Sequence, residues 1–128
     1  MENSRFKFRA WEKNMKIMMP VENIDFLAKQ INTNSVWRMF HEIELMQFTG
    51  LKDKNGVEIY EGDIVSDQYA NIYTPIFRNG IYMAYNVEYL HLTEQEPSTQ
   101  FNVVWKNGCE IIGSIYEKPE LLEKGENR

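Results

Sequence analysis

The densest chemistry in the chain lies between Asp53 and Asp67, where Asp53, Glu58, Glu61, Asp63 and Asp67 supply five carboxylates. Hard oxygen ligands at close spacing are what a divalent cation requires. Two or more of Asp53, Glu58, Glu61 and Asp63 converging on one ion would permit metal-assisted hydrolysis. The specific calcium-loop pattern fails, however. Counted from Asp53, Asn55 suits the third position, but Val57 occupies the fifth, Glu58 stands where glycine is required, and Ile64 ends the loop. Asp63, in Glu61-Gly62-Asp63, reads more simply as a turn residue whose side chain bonds nearby amides.

A second constellation is basic. Arg5, Lys7 and Arg9 alternate with Phe6, Phe8 and Ala10, so on a strand they share a face, with Trp11 beside them. At about 3.3 Å rise per residue, neighbouring cations on that face stand about 7 Å apart. Phosphate contact plus an aromatic stacking surface is the usual recipe for single-stranded nucleic acid. The structural alternative is cross-strand pairing with Glu42, Glu44 or Glu58, worth about 0.2–1 kcal/mol per pair. Cys109, the only cysteine, follows Asn107-Gly108 directly, with neither His41 nor His91 near it in sequence, and reads as a buried or strand-edge thiol. Two histidines and one cysteine do not make an ordinary structural zinc site. Gly56 and Gly62 lack a following Lys-Ser/Thr, so they form no phosphate loop and read as positions requiring positive φ. Met15, Met18, Met19, Met39, Met46 and Met83 read as core filler. No cofactor motif is present.

What must hold these residues is one ordinary domain: 128 residues, 43% hydrophobic and 26% charged. Three Trp, seven Tyr and seven Phe favour strands. A net charge of −5 argues against a basic nucleic-acid surface, leaving the Arg5–Trp11 face as the exception. The charged start carries no apolar signal run, and no stretch approaches the length of a membrane span. With no disulfide possible within the chain, the expected setting is the cytoplasm.

Period-two alternation predicts a strand at the start of the chain, and after a polar turn at Glu12–Lys16 the run Lys16–Val21 reads as the returning strand, with Pro20 at its edge or end. Ile24, Leu27, Ala28 and Ile31 have helical spacing, capped by Asn23. Ser35–His41 is ambiguous, and Glu42–Phe48 reads as strand with Glu42 and Glu44 on one face. Three Asn-Gly pairs follow, Asn55-Gly56, Asn79-Gly80 and Asn107-Gly108, each the signal of a type I′ hairpin. They are flanked by strand-like runs at Val57–Tyr60, Ile64–Val65, Ile72–Phe77, Ile81–Leu92, Phe101–Trp105 and Cys109–Tyr116. Thr93–Gln100 reads as a polar connection, and Lys118-Pro119-Glu120-Leu121-Leu122 as a short helix with Pro at its first position.

Three segments carry a resemblance: KFRAWEKNMKIM at Lys7–Met18, LMQFTGLKDKNGVEIYEGDIV at Leu45–Val65, and EIIGSIYEKPELL at Glu110–Leu122. In this order they resemble the YopX family of small bacteriophage and prophage proteins. Phe48 stands where tyrosine is commoner there, and Lys118 where asparagine is frequent. The resemblance implies a mainly β fold and a phage or prophage origin, and brings no catalytic residue. Together these readings predict a single YopX-like domain over 1–124 with a frayed tail at 125–128. It should be β-rich, its antiparallel hairpins forming a barrel-like or two-part sheet, with one or two short helices. The function expected is that of a non-enzymatic accessory protein. It would bind itself, and a host or phage protein, with Tyr69–Gln100 suited to recognition. The nucleic-acid and metal-hydrolase readings stand as alternatives.

Overall fold

The computed structural model describes residues 6–87 and 96–117. Of the described residues 57% are strand, in antiparallel pairs, with one short α-helix among them. It divides into two compact units, one up to Phe48 and one from Thr49 onward. Among the described residues no helix is long and apolar enough to cross a membrane.

In the first unit, β1 (Phe8–Glu12) pairs with β2 (Ile17–Pro20) on one side and with the start of β6 (Ile43–Lys52) on the other. Pro20 closes the edge strand β2, where no ladder amide is missed. A second sheet runs in order β3 (Asn23–Asp25), β4 (Gln30–Thr33) and β5 (Val36–Met39). Its strands are joined by tight turns, and a 3₁₀ turn at Phe40–Glu42 leads on to β6. Ala10, Ile31 and Ile43 form the core, with Val21, Ile24, Phe40 and Leu45 packed around them.

The helix expected over Ile24–Ile31 is absent, because those residues form a hairpin. Ile24 and Ile31 pair across β3 and β4, so their spacing of seven, one helical face in a sequence, is also a cross-strand contact. The turn between them is clamped by Asp25, whose Oδ1 accepts the Leu27 and Ala28 amides at 3.0 and 2.9 Å. Leu27, assigned to a buried helical face, is 95% exposed. Glu42 also departs from expectation. It lies in the 3₁₀ turn rather than on a strand face with Glu44, and its carboxylate accepts the Met39 amide at 2.9 Å.

In the second unit, β7 (Glu58–Tyr60) pairs with the end of β6. A five-stranded sheet then runs β11 (Thr99–Gln100), β10 (Ile81–Asn86), β9 (Ile72–Arg78), β8 (Asp63–Asp67) and β12 (Cys109–Ser114). Pro75 sits inside β9, beyond the point where β8 stops pairing with it, so its missing amide costs no ladder bond there. Ile59, Val65, Ala84, Phe101, Val104 and Cys109 form the core.

The three Asn-Gly pairs make three different structures. Asn79 and Gly80 both have positive φ and join β9 to β10 as the expected type I′ turn. At Asn55-Gly56 only the glycine is left-handed; Gly56 N donates to Asp53 O (2.9 Å) and Asp53 N to Val57 O (2.8 Å), the pattern of a longer turn. Asn107-Gly108 terminates a helix. Phe101–Trp105, expected as a strand-like run before Asn107-Gly108, lies in the helix α1 (Phe101–Lys106), which buries Phe101 and Val104 one turn apart. Gly108, at φ +86, donates to Trp105 O (3.0 Å) in the left-handed position that follows many helices. Of the methionines, Met19 and Met46 are core, whereas Met15 and Met39 are exposed. The helix expected after Lys118 and the tail at 125–128 lie outside the described residues, as does most of the strand run beyond Asn86.

Candidate functional site: an apolar groove in the second unit

Four of the five carboxylates that first suggest a metal, Asp53, Glu61, Asp63 and Asp67, accept backbone amides. Asp53 is buried; its Oδ1 accepts the Asn55 and Val57 amides, both at 2.9 Å, and its Oδ2 the Ile111 amide at 3.0 Å. Burial alone would push its pKa up. The three amides and the charge of Lys54 outweigh burial and hold it below the ordinary 3.8. Buried Asp63 accepts the Tyr60 amide at 2.8 Å, and Glu61 accepts the Phe77 amide at 3.0 Å. Asp67 accepts the Tyr69 and Asn71 amides at 2.8 and 2.9 Å. Glu58 is half-buried on β7. Among the described residues, no three His, Cys, Asp or Glu side chains gather as metal ligands.

Of the basic residues at the start of the chain, Arg9 lies on β1, Lys7 precedes it, and Arg5 lies outside the described residues. Arg9 is half-buried opposite Met46, and Trp11 is half-buried opposite Glu44. The Lys7 ammonium lies over the Phe48 ring, 5.4 Å from its centroid. Glu44 pairs with Lys13 at 3.4 Å. Cys109 is a buried free thiol; burial, and then the negative charge of Asp53, push its pKa up to about 11. A thiol held protonated in this way is a poor nucleophile at neutral pH.

The second unit carries a groove of ≈ 390 Å³. Thr49 and Leu51 line it from β6, Phe77 from β9, and Gly80, Ile81 and Tyr82 from the hairpin tip and β10. Gln100, Phe101 and Asn102, where β11 runs into α1, complete it. The sequence places aromatic residues here by register: Phe77 and Tyr82 are cross-strand partners next to the type I′ turn. Their rings meet edge-to-face at 5.2 Å. Phe77 remains 54% and Ile81 44% exposed, while Phe101 is fully buried. Tyr82 is pushed up to about 12 by burial and then by the charge of Glu61, so its phenol stays neutral. The Thr49 hydroxyl donates to Ile59 O at 2.7 Å. The lining contains no nucleophile paired with a base, and its exposed amides, Gln100 and Asn102, can orient a ligand by hydrogen bonds. Sequence reasoning singled out Tyr69–Gln100 for recognition, a stretch that contains Phe77, Gly80, Ile81, Tyr82 and Gln100, but gave a role only to Gly80, as a turn residue. The available signal was the aromatic pair Phe77 and Tyr82, each two positions from Asn79-Gly80 and therefore opposite one another across a two-residue hairpin turn.

No curated protein matches the chain. A solved structure does, described as the crystal structure of protein EF1440 from Enterococcus faecalis. It is 30% identical, aligns over 91% of this chain and 97% of that one, and superposes with a TM-score of 0.64. The family model described as YopX protein matches residues 7–123, nearly the whole β framework set out above, and the chain therefore belongs to the YopX family.

Proposed function

We propose that this chain is a non-enzymatic phage or prophage accessory protein that works by binding another protein, with the groove beside the β9–β10 hairpin as its contact surface. The observation that carries this reading is the groove itself. It combines exposed Phe77 and Ile81 with a buried aromatic floor and two free-standing amides, and it has no group poised for reaction. Apolar anchors rimmed by polar groups are what a protein partner buries. The engagement of Asp53, Asp63, Glu61 and Asp67 with backbone amides supports a scaffold role for the acidic stretch. Self-association is part of the same proposal, since a second copy is one candidate for the groove. Genes neighbouring this one in a phage or prophage would bear on the origin.

The test uses Ile81→Asp, at a side chain exposed enough to change without unfolding the sheet. Losing an apolar anchor worth about 1.5–3 kcal/mol should weaken partner capture from infected-cell lysate by about ten- to a hundredfold. Circular dichroism should stay unchanged. Equal recovery of every protein by the wild type and the variant, with both monodisperse monomers by light scattering, would remove the groove from the account.

A further inference from the structure

We propose that Asn79 is a site of spontaneous covalent modification, by deamidation, and that the fold selects it over the two other Asn-Gly pairs. In this reaction the amide nitrogen of the following glycine loses its proton to solvent and attacks the side-chain carbonyl carbon of asparagine. A nitrogen–carbon bond closes a five-membered imide, and the carbon–nitrogen bond of the side-chain amide breaks to release ammonia. Water then opens the ring at either carbonyl, leaving aspartate or isoaspartate. The only co-reactant is water, and the chain gains one negative charge.

Three sequence-identical dipeptides differ in how their glycine amide is held. Gly56 N donates to Asp53 O at 2.9 Å, and Gly108 N donates to Trp105 O at 3.0 Å at the end of α1. The Asn55 side-chain amide is also tethered, donating to Glu110 Oε1 at 3.2 Å. At the β9–β10 tip both Asn79 and Gly80 are exposed. Among the described residues neither the Gly80 amide nor the Asn79 side chain has a hydrogen-bond partner. A Cβ built on Gly80 would meet nothing within 4 Å, and the same holds at Gly56 and Gly108, so crowding does not separate the three sites and the hydrogen bonds do. At the other two sites a hydrogen bond must break before the amide can act as nucleophile, which slows them by up to about tenfold.

The consequence falls on the groove, because Gly80 and Ile81 line it. The new carboxylate stands at its mouth, and the isoaspartate form adds a backbone atom to the turn that aligns Phe77 with Tyr82. That consequence rests on the groove being a binding surface, whereas the modification does not.

The experiment incubates the full-length protein at mildly alkaline pH in ¹⁸O-water and follows all three sites by peptide mapping and mass spectrometry. A parallel sample is unfolded in urea. In the unfolded chain the three sites should react at similar rates. In the folded protein Asn79 should keep a rate near its unfolded one while Asn55 and Asn107 fall behind by about tenfold, the factor that breaking one hydrogen bond imposes. The variant Asn79→Gln, whose longer side chain closes a six-membered ring slowly, should abolish the early product while the other two sites keep their rates. Faster reaction at Asn55 or Asn107, or equal protection of all three on folding, would overturn the assignment. Comparing fresh and aged protein in the capture assay tests the groove separately: deamidation without any change in capture leaves the modification standing and counts against the groove.

Discussion

Asp53 and Asp67 show what an acidic residue does in this protein. Each opens a turn of the same design. The amide three residues on returns to the aspartate carbonyl, the aspartate amide donates to the carbonyl four residues on, and Oδ1 accepts two amides of the turn. The left-handed position is Gly56 in one turn and Ala70, at φ +66, in the other. A left-handed alanine costs about 1–2 kcal/mol, part of which returns as unfolded-state entropy when glycine replaces it. Ala70→Gly should therefore raise stability by up to about 1 kcal/mol, read as a shift in urea midpoint at constant slope. Asp53 supports a pH prediction. Its folded pKa lies below the ordinary 3.8, so the unfolded chain takes up the proton first. The stability it adds is complete above that value and is lost as pH falls through the folded pKa. Asp53→Asn should lower stability at neutral pH and flatten the acid limb of the stability–pH curve; a limb unchanged by the substitution would show that other groups produce it.

Among the elements, the hairpins from β3 to β5 are where local pattern and structure part. Helical spacing over Ile24–Ile31 is real, but the pairing of Ile24 with Ile31 satisfies the same spacing, and Asp25 stabilises a turn that a helix would not contain. The two structures differ in where they put Leu27. In the hairpin it is exposed, so Leu27→Lys should change stability by no more than about 0.5 kcal/mol, whereas loss of a buried leucine would cost about 2 kcal/mol or more. Thermal and urea unfolding of that variant distinguish them. Sequence reading places a break at Asn32-Thr33-Asn34 but not the hairpin turn from β4 to β5, because Asn34 and Ser35 both take positive φ without a glycine. The helix α1 escaped because Phe101 and Val104 earn their helical state by burial, which overrides the strand preference of their residue types.

For the molecule as a whole, the question is which surface meets a partner. With a net charge of −5, and with Arg9 and Trp11 half-buried, the β1 face should give no salt-steep binding to single- or double-stranded DNA or RNA. Fluorescence anisotropy at low ionic strength checks this, and binding abolished in a Lys7→Ala, Arg9→Ala double variant would restore the nucleic-acid reading. The amino-acid sequence by itself determined the family, the mainly β class and the type I′ turn at Asn79-Gly80. Each of these depends on residues close together in the chain, where φ preferences and alternation act directly. Tertiary structure decided the rest. It set Ile111 against Asp53, 58 positions apart in the chain. It turned Phe101–Lys106 into a helix, and it gathered Leu51, Phe77, Tyr82 and Phe101 around one groove. Long-range contacts of this kind are set by which buried surfaces fit together, a property no window of sequence contains.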